Sequence, residues 1–193
     1  MKSKVFKSGT KTVIQRGTMY YHGSDIEMDG DILQPKQQKT HDHDKIVNAV
    51  FITPDITYAK LFAIRKCIGG NGEILITFND TDGKNKIYLD QLSKKIKPYF
   101  YTYGVKEDKN SPFIRDSHKE YYSLSPLHII EKTKHSVIKE LSKLNCEVYI
   151  LDEPIKDHKI GKHHRIDIKD IISNQPGNSV INTIRTMADF IRY

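Results

Sequence analysis

The sequence lacks several features that would assign it to a common class of protein. It has two cysteines, Cys67 and Cys146, with no pairing pattern, so we expect free thiols in a reducing cytoplasm. It has no apolar run of about 18 residues, so no membrane span is expected. The lysines that follow Met1 precede no apolar core, so we expect no secretory signal. If the protein is an exported effector or toxin, it would act in the cytoplasm of a host cell.

The glycine-rich loops of common nucleotide-binding folds are also missing. The sequence contains neither G-x-G-x-x-G, the fingerprint of dinucleotide-binding Rossmann folds, nor the P-loop pattern G-x-x-x-x-G-K. These absences argue against both classes of enzyme. A nucleotide would have to be held in some other way.

Positive charge is in excess. Lys and Arg total 31 against 24 Asp and Glu, a formal net charge of +7. This balance favours a polyanionic partner such as a nucleic acid, a dinucleotide or an acidic protein. Because the excess is spread along the chain, it is equally consistent with a lysine-rich composition that has no binding role.

The length and pattern indicate one α+β domain with appendages. We predict a basic flexible arm over residues 1–12, a main domain over 13–152 and an extension over 153–193. The extension would end in a helix packed on the domain, with Val180, Ile184, Met187 and Ile191 on one face.

Strands outnumber helices in the predicted order, and helices fall between them irregularly. Apolar periodicity predicts the main strands at 18–22, 49–53, 73–78, 120–130 and 146–151, and helices at 56–66 and 134–144. We expect the strand at 73–78 near the middle of a sheet. Residues 24–38, 98–118 and 152–165 are predicted as loops, and a loop as long as 98–118 is usually functional or mobile.

Two short pieces organise the chain. Residues 19–24, MYYHGS, read as a strand that delivers a histidine to an edge, where a glycine permits close approach of another molecule. Residues 50–55, VFITPD, read as a buried strand and a turn that caps the helix starting at Ile56.

Together these pieces resemble the ADP-ribosyltransferases of the diphtheria-toxin and poly(ADP-ribose) polymerase branch, and most closely the small bacterial rifampin ADP-ribosyltransferases. The resemblance covers residues 18–152. It implies an ADP-ribosyltransferase-like fold, with two packed sheets of mixed order forming an NAD cleft and helices on the flanks. It also implies a mono-ADP-ribosyltransferase, a glycosyltransferase that uses NAD as co-substrate and no metal.

In this family the first strand seats the dinucleotide. The resemblance implies that His22 bonds a ribose hydroxyl, Gly23 offers its backbone to the nicotinamide amide and Ser24 assists. The alternative for His22 is a core histidine whose ring is satisfied within the protein.

The family usually presents two tyrosines to the nicotinamide ring, and the matching positions here are Phe51 and Phe62. A phenyl face still stacks on a flat ring and attracts the cationic nicotinamide. The hydroxyl is lost, and Tyr58, one turn before Phe62, could replace it. Plain core packing is the alternative for both phenylalanines.

The transferred ribose passes through an oxocarbenium-like state, which a carboxylate stabilises. The resemblance assigns this role to Glu120, which opens a strand before an aromatic residue. A carboxyl of ordinary pKa, about 4.3, is ionised at neutral pH and needs no tuning. In rifampin-type enzymes the acid comes earlier, and Asp82 or Asp80 would be its counterpart. A solvated carboxylate is the alternative.

Two polar clusters stand apart from this assignment. Residues 41–44, HDHD, have metal-ligand chemistry but no matching pair at zinc-site spacing, so we predict a solvated loop and no metal. Residues 162–165, KHHR, could contact phosphate or RNA, and a solvated basic loop is the alternative.

Three functions follow from these residues. The first is transfer of ADP-ribose from NAD to an unidentified protein, nucleic acid or small molecule. The second is an NAD-consuming RNA 2′-phosphotransferase, although Arg16, Arg65 and Arg115 are too scattered to form its phosphate grip. The third is a non-catalytic module that binds NAD, ADP-ribose or nucleic acid.

Overall fold

The protein has a mixed α+β architecture, mostly sheet with few helices, in the computed structural model that describes residues 18–40, 45–69, 74–78, 80–107, 112–153 and 160–173. The predicted arm at 1–12, the HDHD segment at 41–44 and the predicted C-terminal helix lie outside the described residues. This confirms the α+β class.

The chain divides into two compact units. The first unit comprises Met1–Phe62 with Tyr101–Lys134, and the second comprises Ala63–Phe100 with His135–Tyr193. This division follows spatial contacts, and the domain boundaries after residues 12 and 152 stay a prediction.

The elements are numbered in chain order. The strands with most of their residues in the first unit are β1 Met19–Ser24, β2 Ile32–Leu33, β3 Lys36–Lys39, β4 Ile46–Ile52, β7 Tyr99–Lys106, β8 Ile114–Arg115, β9 Tyr121–Ser123, β10 Leu127–His128 and β11 Glu131–Ser136. Those of the second unit are β5 Ile74–Thr77, β6 Asn85–Leu89, β12 Cys146–Leu151 and β13 His163–Ile166. The helices are α1 Ile56–Gly69, which begins in the first unit and ends in the second, α2 Val137–Lys143 and α3 Ile168–Ser173.

Two larger sheets and a small one make up the described part of the first unit. Their strand orders are β1-β7-β11, β3-β4-β9-β8 and β10-β2. One buried cluster takes side chains from all three sheets and from Phe113, which precedes β8: Tyr20, Leu33, Val50, Ile52, Tyr101, Tyr103, Val105, Phe113 and Leu127. Burial of these side chains is the main force that holds the two sheets together.

The strands that carry the predicted site form for ordinary reasons. In β1, Tyr20 and Ser24 are buried on the face that alternation gives them, and His22, which lies between them on that face, is partly exposed. In β4, Val50 and Ile52 point into the core. The predicted strands at 18–22 and 49–53 and the helix starting at Ile56 are therefore confirmed.

The second unit is built on one sheet of order β13-β12-β6-β5, in which β12 and β6 are parallel. The predicted strand at 146–151 is confirmed. Our prediction that the strand at 73–78 lies near the middle of a sheet is wrong, because β5 is the edge strand. An apolar run of this length fits a central strand and a covered edge strand equally well.

The prediction of a loop over 98–118 is also wrong. It contains β7, in which every residue from Phe100 to Val105 is buried, and the short strand β8. A strand buried on both faces shows no alternation of polar and apolar residues, and its tyrosines read as polar in the sequence. The tyrosine-rich run was therefore the signal for a central strand.

Three further boundaries differ from the prediction. The segment 24–38 contains β2 and the start of β3, residues 134–136 belong to β11 rather than to a helix, and 163–165 lie in β13. The predicted strand at 120–130 is interrupted between β9 and β10 near Pro126, where we expected a bend. In the described ranges, no helix combines the length and apolar character that crossing a membrane requires.

The shared cluster predicts a sharp contrast within β4. Ile52 is 2% exposed and Ile46 is 62% exposed. Ile52→Ala should lower the free energy of unfolding by about 2–4 kcal/mol, because it removes buried methyl groups and leaves a cavity. Ile46→Ala, the control in the same strand, should change it by less than about 0.5 kcal/mol. Urea unfolding of both variants measures this, and equal losses would contradict the assignment of the core.

Candidate functional site

A single bridge joins the two larger sheets of the first unit. Tyr21 N–H donates to the carbonyl of Thr53 over 2.7 Å, and Thr53 N–H donates back to the carbonyl of Tyr21 over 3.0 Å. The bridge is antiparallel and isolated within the described residues. Beyond it, the described residues of β1 and β4 form no further ladder, and we call this break in the pairing of the two strands the gap.

The backbone of Gly23 faces this gap. Alternate residues of a strand direct their N–H and C=O groups to the same edge. Tyr21 directs its own toward β4, so Gly23, two residues on, does the same. On the other edge β1 pairs with β7 throughout. Gly23 thus directs a donor and an acceptor to the edge of β1 that faces β4, next to the Tyr21–Thr53 bridge.

His22 reaches across the gap to β4. Its ring Nδ1 lies 2.8 Å from the carbonyl oxygen of Phe51. A carbonyl only accepts, so Nδ1 is the donor in this hydrogen bond. The ring is partly buried, with its centroid 6.4 Å from that of Tyr103. These contacts hold the ring of the histidine in one orientation.

The hydroxyl of Ser24 belongs to a local turn. It accepts a hydrogen bond from Ile26 N–H over 3.1 Å and donates to the carbonyl of Ile26 over 2.9 Å. Ser24 is buried. Its side chain therefore stabilises the chain's exit from β1, which in turn fixes Gly23.

Phe51 and Tyr122 lie on the same side of their sheet, and Glu120 comes two residues before Tyr122. Phe51 pairs with Tyr122 in the antiparallel register of β4 and β9, and their ring centroids are 5.5 Å apart. Glu120 immediately precedes β9, and if the alternation of the strand extends to it, we expect its side chain on the side of Tyr122 and Phe51. The opposite side carries Ile52 and Tyr121, which pack in the core.

Glu120 closes the tight hairpin between β8 and β9. Its carbonyl accepts hydrogen bonds from Asp116 N–H over 2.9 Å and from Ser117 N–H over 3.1 Å. The residue is partly buried. The backbone that carries this carboxylate is thus fixed at both the turn and the strand.

The start of helix α1 presents two stacked aromatic rings. Asp55 caps the helix: its Oδ1 accepts from Thr57 N–H over 2.9 Å and from Tyr58 N–H over 3.3 Å. One turn on, the rings of Tyr58 and Phe62 stack with centroids 4.6 Å apart and an interplanar angle of 25°. Both are partly buried, so part of this aromatic surface is accessible.

An ion pair ties this helix to the hairpin of Glu120. Lys119 Nζ lies 3.0 Å from Oδ2 of Asp55. Burial acts to raise the pKa of the Asp55 carboxyl, but the hydrogen bond and charge of Lys119, with the two backbone N–H groups, outweigh it and lower that pKa. The Asp55 carboxylate is therefore ionised at neutral pH, and it binds Lys119, the residue that precedes Glu120.

These contacts relate most of the predicted site residues to one another. His22, Gly23, Phe51, Tyr58, Phe62 and Glu120 all belong to the first unit and are connected through the Tyr21–Thr53 bridge, the β4–β9 pairing and the Lys119–Asp55 pair. The sequence analysis did not identify Tyr122 or the ion pair between Lys119 and Asp55 as parts of the site. The available signal was the two-residue spacing of Tyr122 from Glu120 on a predicted strand.

Asp80 and Asp82, the alternative acids, lie in the second unit. They occupy the turn between β5 and β6, and both pair with Lys86, at 2.9 Å and 3.0 Å respectively. Hydrogen bonding to the Lys86 ammonium lowers the pKa of each carboxyl. Asp82 also accepts from Lys84 N–H. Through these interactions both carboxylates stabilise the turn between β5 and β6.

The basic cluster at 162–165 is also in the second unit. Arg165 lies 2.9 Å from the Glu147 carboxylate, and His164 Nδ1 lies 2.9 Å from that of Asp152. His163 meets the ring of Tyr149 edge-on, at 5.2 Å. Pairing with carboxylates reduces the positive field that a phosphate would meet here.

The second unit also holds a cavity of about 310 Å³, lined in part by Ile138, Leu141, Cys146, Glu147 and Arg165. None of the predicted site residues lines it. Burial and the charge of Glu147 raise the pKa of the Cys146 thiol to about 12. The thiol is therefore protonated at neutral pH and is not an activated nucleophile.

Comparison with known proteins found no match among protein-family models, curated proteins or solved structures. In the described ranges, no group of three or more His, Cys, Asp or Glu side chains is arranged to hold a metal ion.

The Asp55 contacts predict a graded response to substitution. Asp55→Ala removes both the helix cap and the ion pair and should destabilise the protein by about 1–2 kcal/mol. Asp55→Asn keeps a capping oxygen and should lose less. Because folding lowers the pKa of Asp55, its charge stabilises the folded state above the unfolded-state pKa, and this stabilisation is lost as pH falls through the folded-state pKa.

Urea unfolding of wild type and Asp55→Asn, between neutral pH and pH 3, measures this effect. The difference in unfolding free energy should shrink as the pH approaches 3. A difference that is constant with pH would show that the pair with Lys119 contributes nothing to folding.

Proposed function

We propose that the protein is an NAD-dependent mono-ADP-ribosyltransferase that breaks the nicotinamide–ribose bond and transfers ADP-ribose to an acceptor. One observation carries the proposal: pairing of β1 with β4 stops at the Tyr21–Thr53 bridge, and next to it the His22 ring contacts the backbone carbonyl of Phe51. Glu120 opens the strand that pairs with Phe51's own strand. Two sheets around one core are in keeping with an ADP-ribosyltransferase-like fold.

The nicotinamide end of NAD fits this gap chemically. Its carboxamide has a donor and an acceptor that pair with the C=O and N–H of Gly23, as a further strand would. The phenyl faces of Phe51 and Phe62 stack on the ring, and its positive charge adds an attraction of about 0.5–2 kcal/mol. The imidazole of His22 forms a hydrogen bond with a ribose hydroxyl.

The reaction needs a carboxylate and no redox partner. The bond between C1′ of the ribose and the pyridinium nitrogen breaks, and its electron pair goes to that nitrogen, so nicotinamide leaves neutral. Positive charge develops on C1′ and the ring oxygen, where the Glu120 carboxylate stabilises it. A nucleophile of the acceptor then bonds to C1′ and releases its proton to solvent.

The acceptor can be a protein, a nucleic acid or a small molecule. The net charge of +7 favours a polyanion among these. We place the reaction in a reducing, NAD-containing cytoplasm, either of the producing cell or of a host. NAD labelled in its adenine moiety, incubated with the protein and a cell lysate, identifies the acceptor by the fraction that retains label.

Glu120→Gln is the direct test of the carboxylate. The amide keeps the shape of the side chain but has no charge to stabilise the ribosyl cation. Nicotinamide release from NAD should fall by about 10²–10³-fold, the loss typical when one electrostatic stabiliser is removed. The thermal midpoint should stay within a few degrees of wild type, which separates catalysis from folding.

Asp82→Asn is the matched control, since it neutralises the alternative acid in the same way. It should leave nicotinamide release within about twofold of wild type. The reverse pattern, loss with Asp82→Asn and activity with Glu120→Gln, would transfer the role to Asp82. Binding of NAD without any release of nicotinamide by the wild type would make the protein a non-catalytic module.

A further inference from the structure

Among the described residues, Tyr122 is one of several tyrosines whose hydroxyl bonds no protein group, and it is the one whose ring lies against Phe51. The hydroxyls of Tyr101, Tyr103 and Tyr149 each hydrogen-bond a group of the protein. Among the described residues, none forms a hydrogen bond with the hydroxyl of Tyr122. The ring is partly buried against Phe51. This contact holds the hydroxyl beside the candidate site.

The walls of the candidate site leave a polar group of the ligand without a partner. A carboxamide has two N–H donors and two acceptor lone pairs, and the backbone of Gly23 satisfies one of each. Phe51 and Phe62 have no polar atoms. An amide that loses water and gains no partner binds more weakly, so a further hydrogen-bonding group beside Phe51 would strengthen the binding proposed above.

The strand register places Tyr122 on that side. It is the pairing partner of Phe51, with ring centroids 5.5 Å apart and an interplanar angle of 39°. It also follows Glu120 by two residues, and we expect both side chains on the same face of the strand. Its neighbour Tyr121 points to the other face, where it packs against Tyr20 with centroids 5.5 Å apart.

We infer that Tyr122 is a specificity-determining residue that hydrogen-bonds the nicotinamide carboxamide and supplies the hydroxyl absent from Phe51 and Phe62. This inference rests on the proposed function. It makes recognition of intact NAD, with its nicotinamide, depend on Tyr122, while recognition of the ADP-ribose portion does not.

The test compares Tyr122→Phe with Tyr121→Phe, which removes the same atom from the opposite face of the strand. The measurements are the KM for NAD in nicotinamide release and the inhibition constant of ADP-ribose. Tyr122→Phe should raise the KM for NAD about two- to tenfold, the loss of one hydrogen bond. The inhibition constant of ADP-ribose, which has no carboxamide, should stay within about twofold. Tyr121→Phe should change neither.

A rescue variant excludes a merely structural effect. Phe51→Tyr restores a hydroxyl to the site from the neighbouring ring, so the double variant Tyr122→Phe/Phe51→Tyr should recover most of the lost affinity for NAD. A fold defect would not be repaired in this way. Tyr58→Phe completes the set, because Tyr58 is the other tyrosine that could donate.

Several outcomes would overturn the inference. They are an unchanged KM in Tyr122→Phe, an equal rise in Tyr121→Phe, an equal loss of ADP-ribose affinity, or a loss confined to Tyr58→Phe. If the wild type releases no nicotinamide, the proposed function fails instead. In that case calorimetry measures the affinity of wild type, Tyr122→Phe and Tyr121→Phe for NAD, which is then not consumed. If NAD does not bind to the wild type, the role of Tyr122 is rejected as well.

Discussion

The pair of hydrogen bonds between Tyr21 and Thr53 is the constraint on which the candidate site depends. These bonds, at 2.7 and 3.0 Å, are short enough to hold the two strands at the spacing of a normal sheet. The ladder stops there, and the backbone groups of Gly23 are left facing an open edge. A buried cluster shared by both sheets resists further separation. The break in pairing therefore lies between two strands that are held in place on either side of it.

The side chains around that gap are held by unrelated interactions. The ring of His22 is oriented by the carbonyl of Phe51, the Glu120 backbone by a hairpin, and the aromatic helix by the cap at Asp55. Lys119 connects the last two. An exposed ion pair of this kind contributes little to stability. Its effect is to hold the start of α1 next to the hairpin that carries Glu120. Groups that must meet a transition state need such support from their surroundings.

Much of the site's framework could be predicted from sequence, because local patterns determine it. The strand of His22, the strand of Phe51 and the cap at Asp55 all carry short-range signals: alternation, β-branched residues and a capping side chain before an apolar helix. The predictions failed where burial on both faces removed the alternation, as in β7, and where sheet position was at issue, as in β5. The periodicity of a single segment does not determine which distant strand it pairs with. Tyr122 was missed for this reason, since only the register of β4 and β9 places it beside Phe51. The roles of Glu120 and Asp82 could not be separated by sequence either, whereas the pairing of Asp82 with Lys86 gives it a structural role.

The measurement that tests the account most directly is a crystal structure of the Glu120→Gln variant with NAD bound. The account predicts the nicotinamide ring between Phe51 and Phe62, its carboxamide on the backbone of Gly23 and the attached ribose beside residue 120. Density for NAD on another surface, such as the cavity beside Glu147 and Arg165 in the second unit, would contradict it.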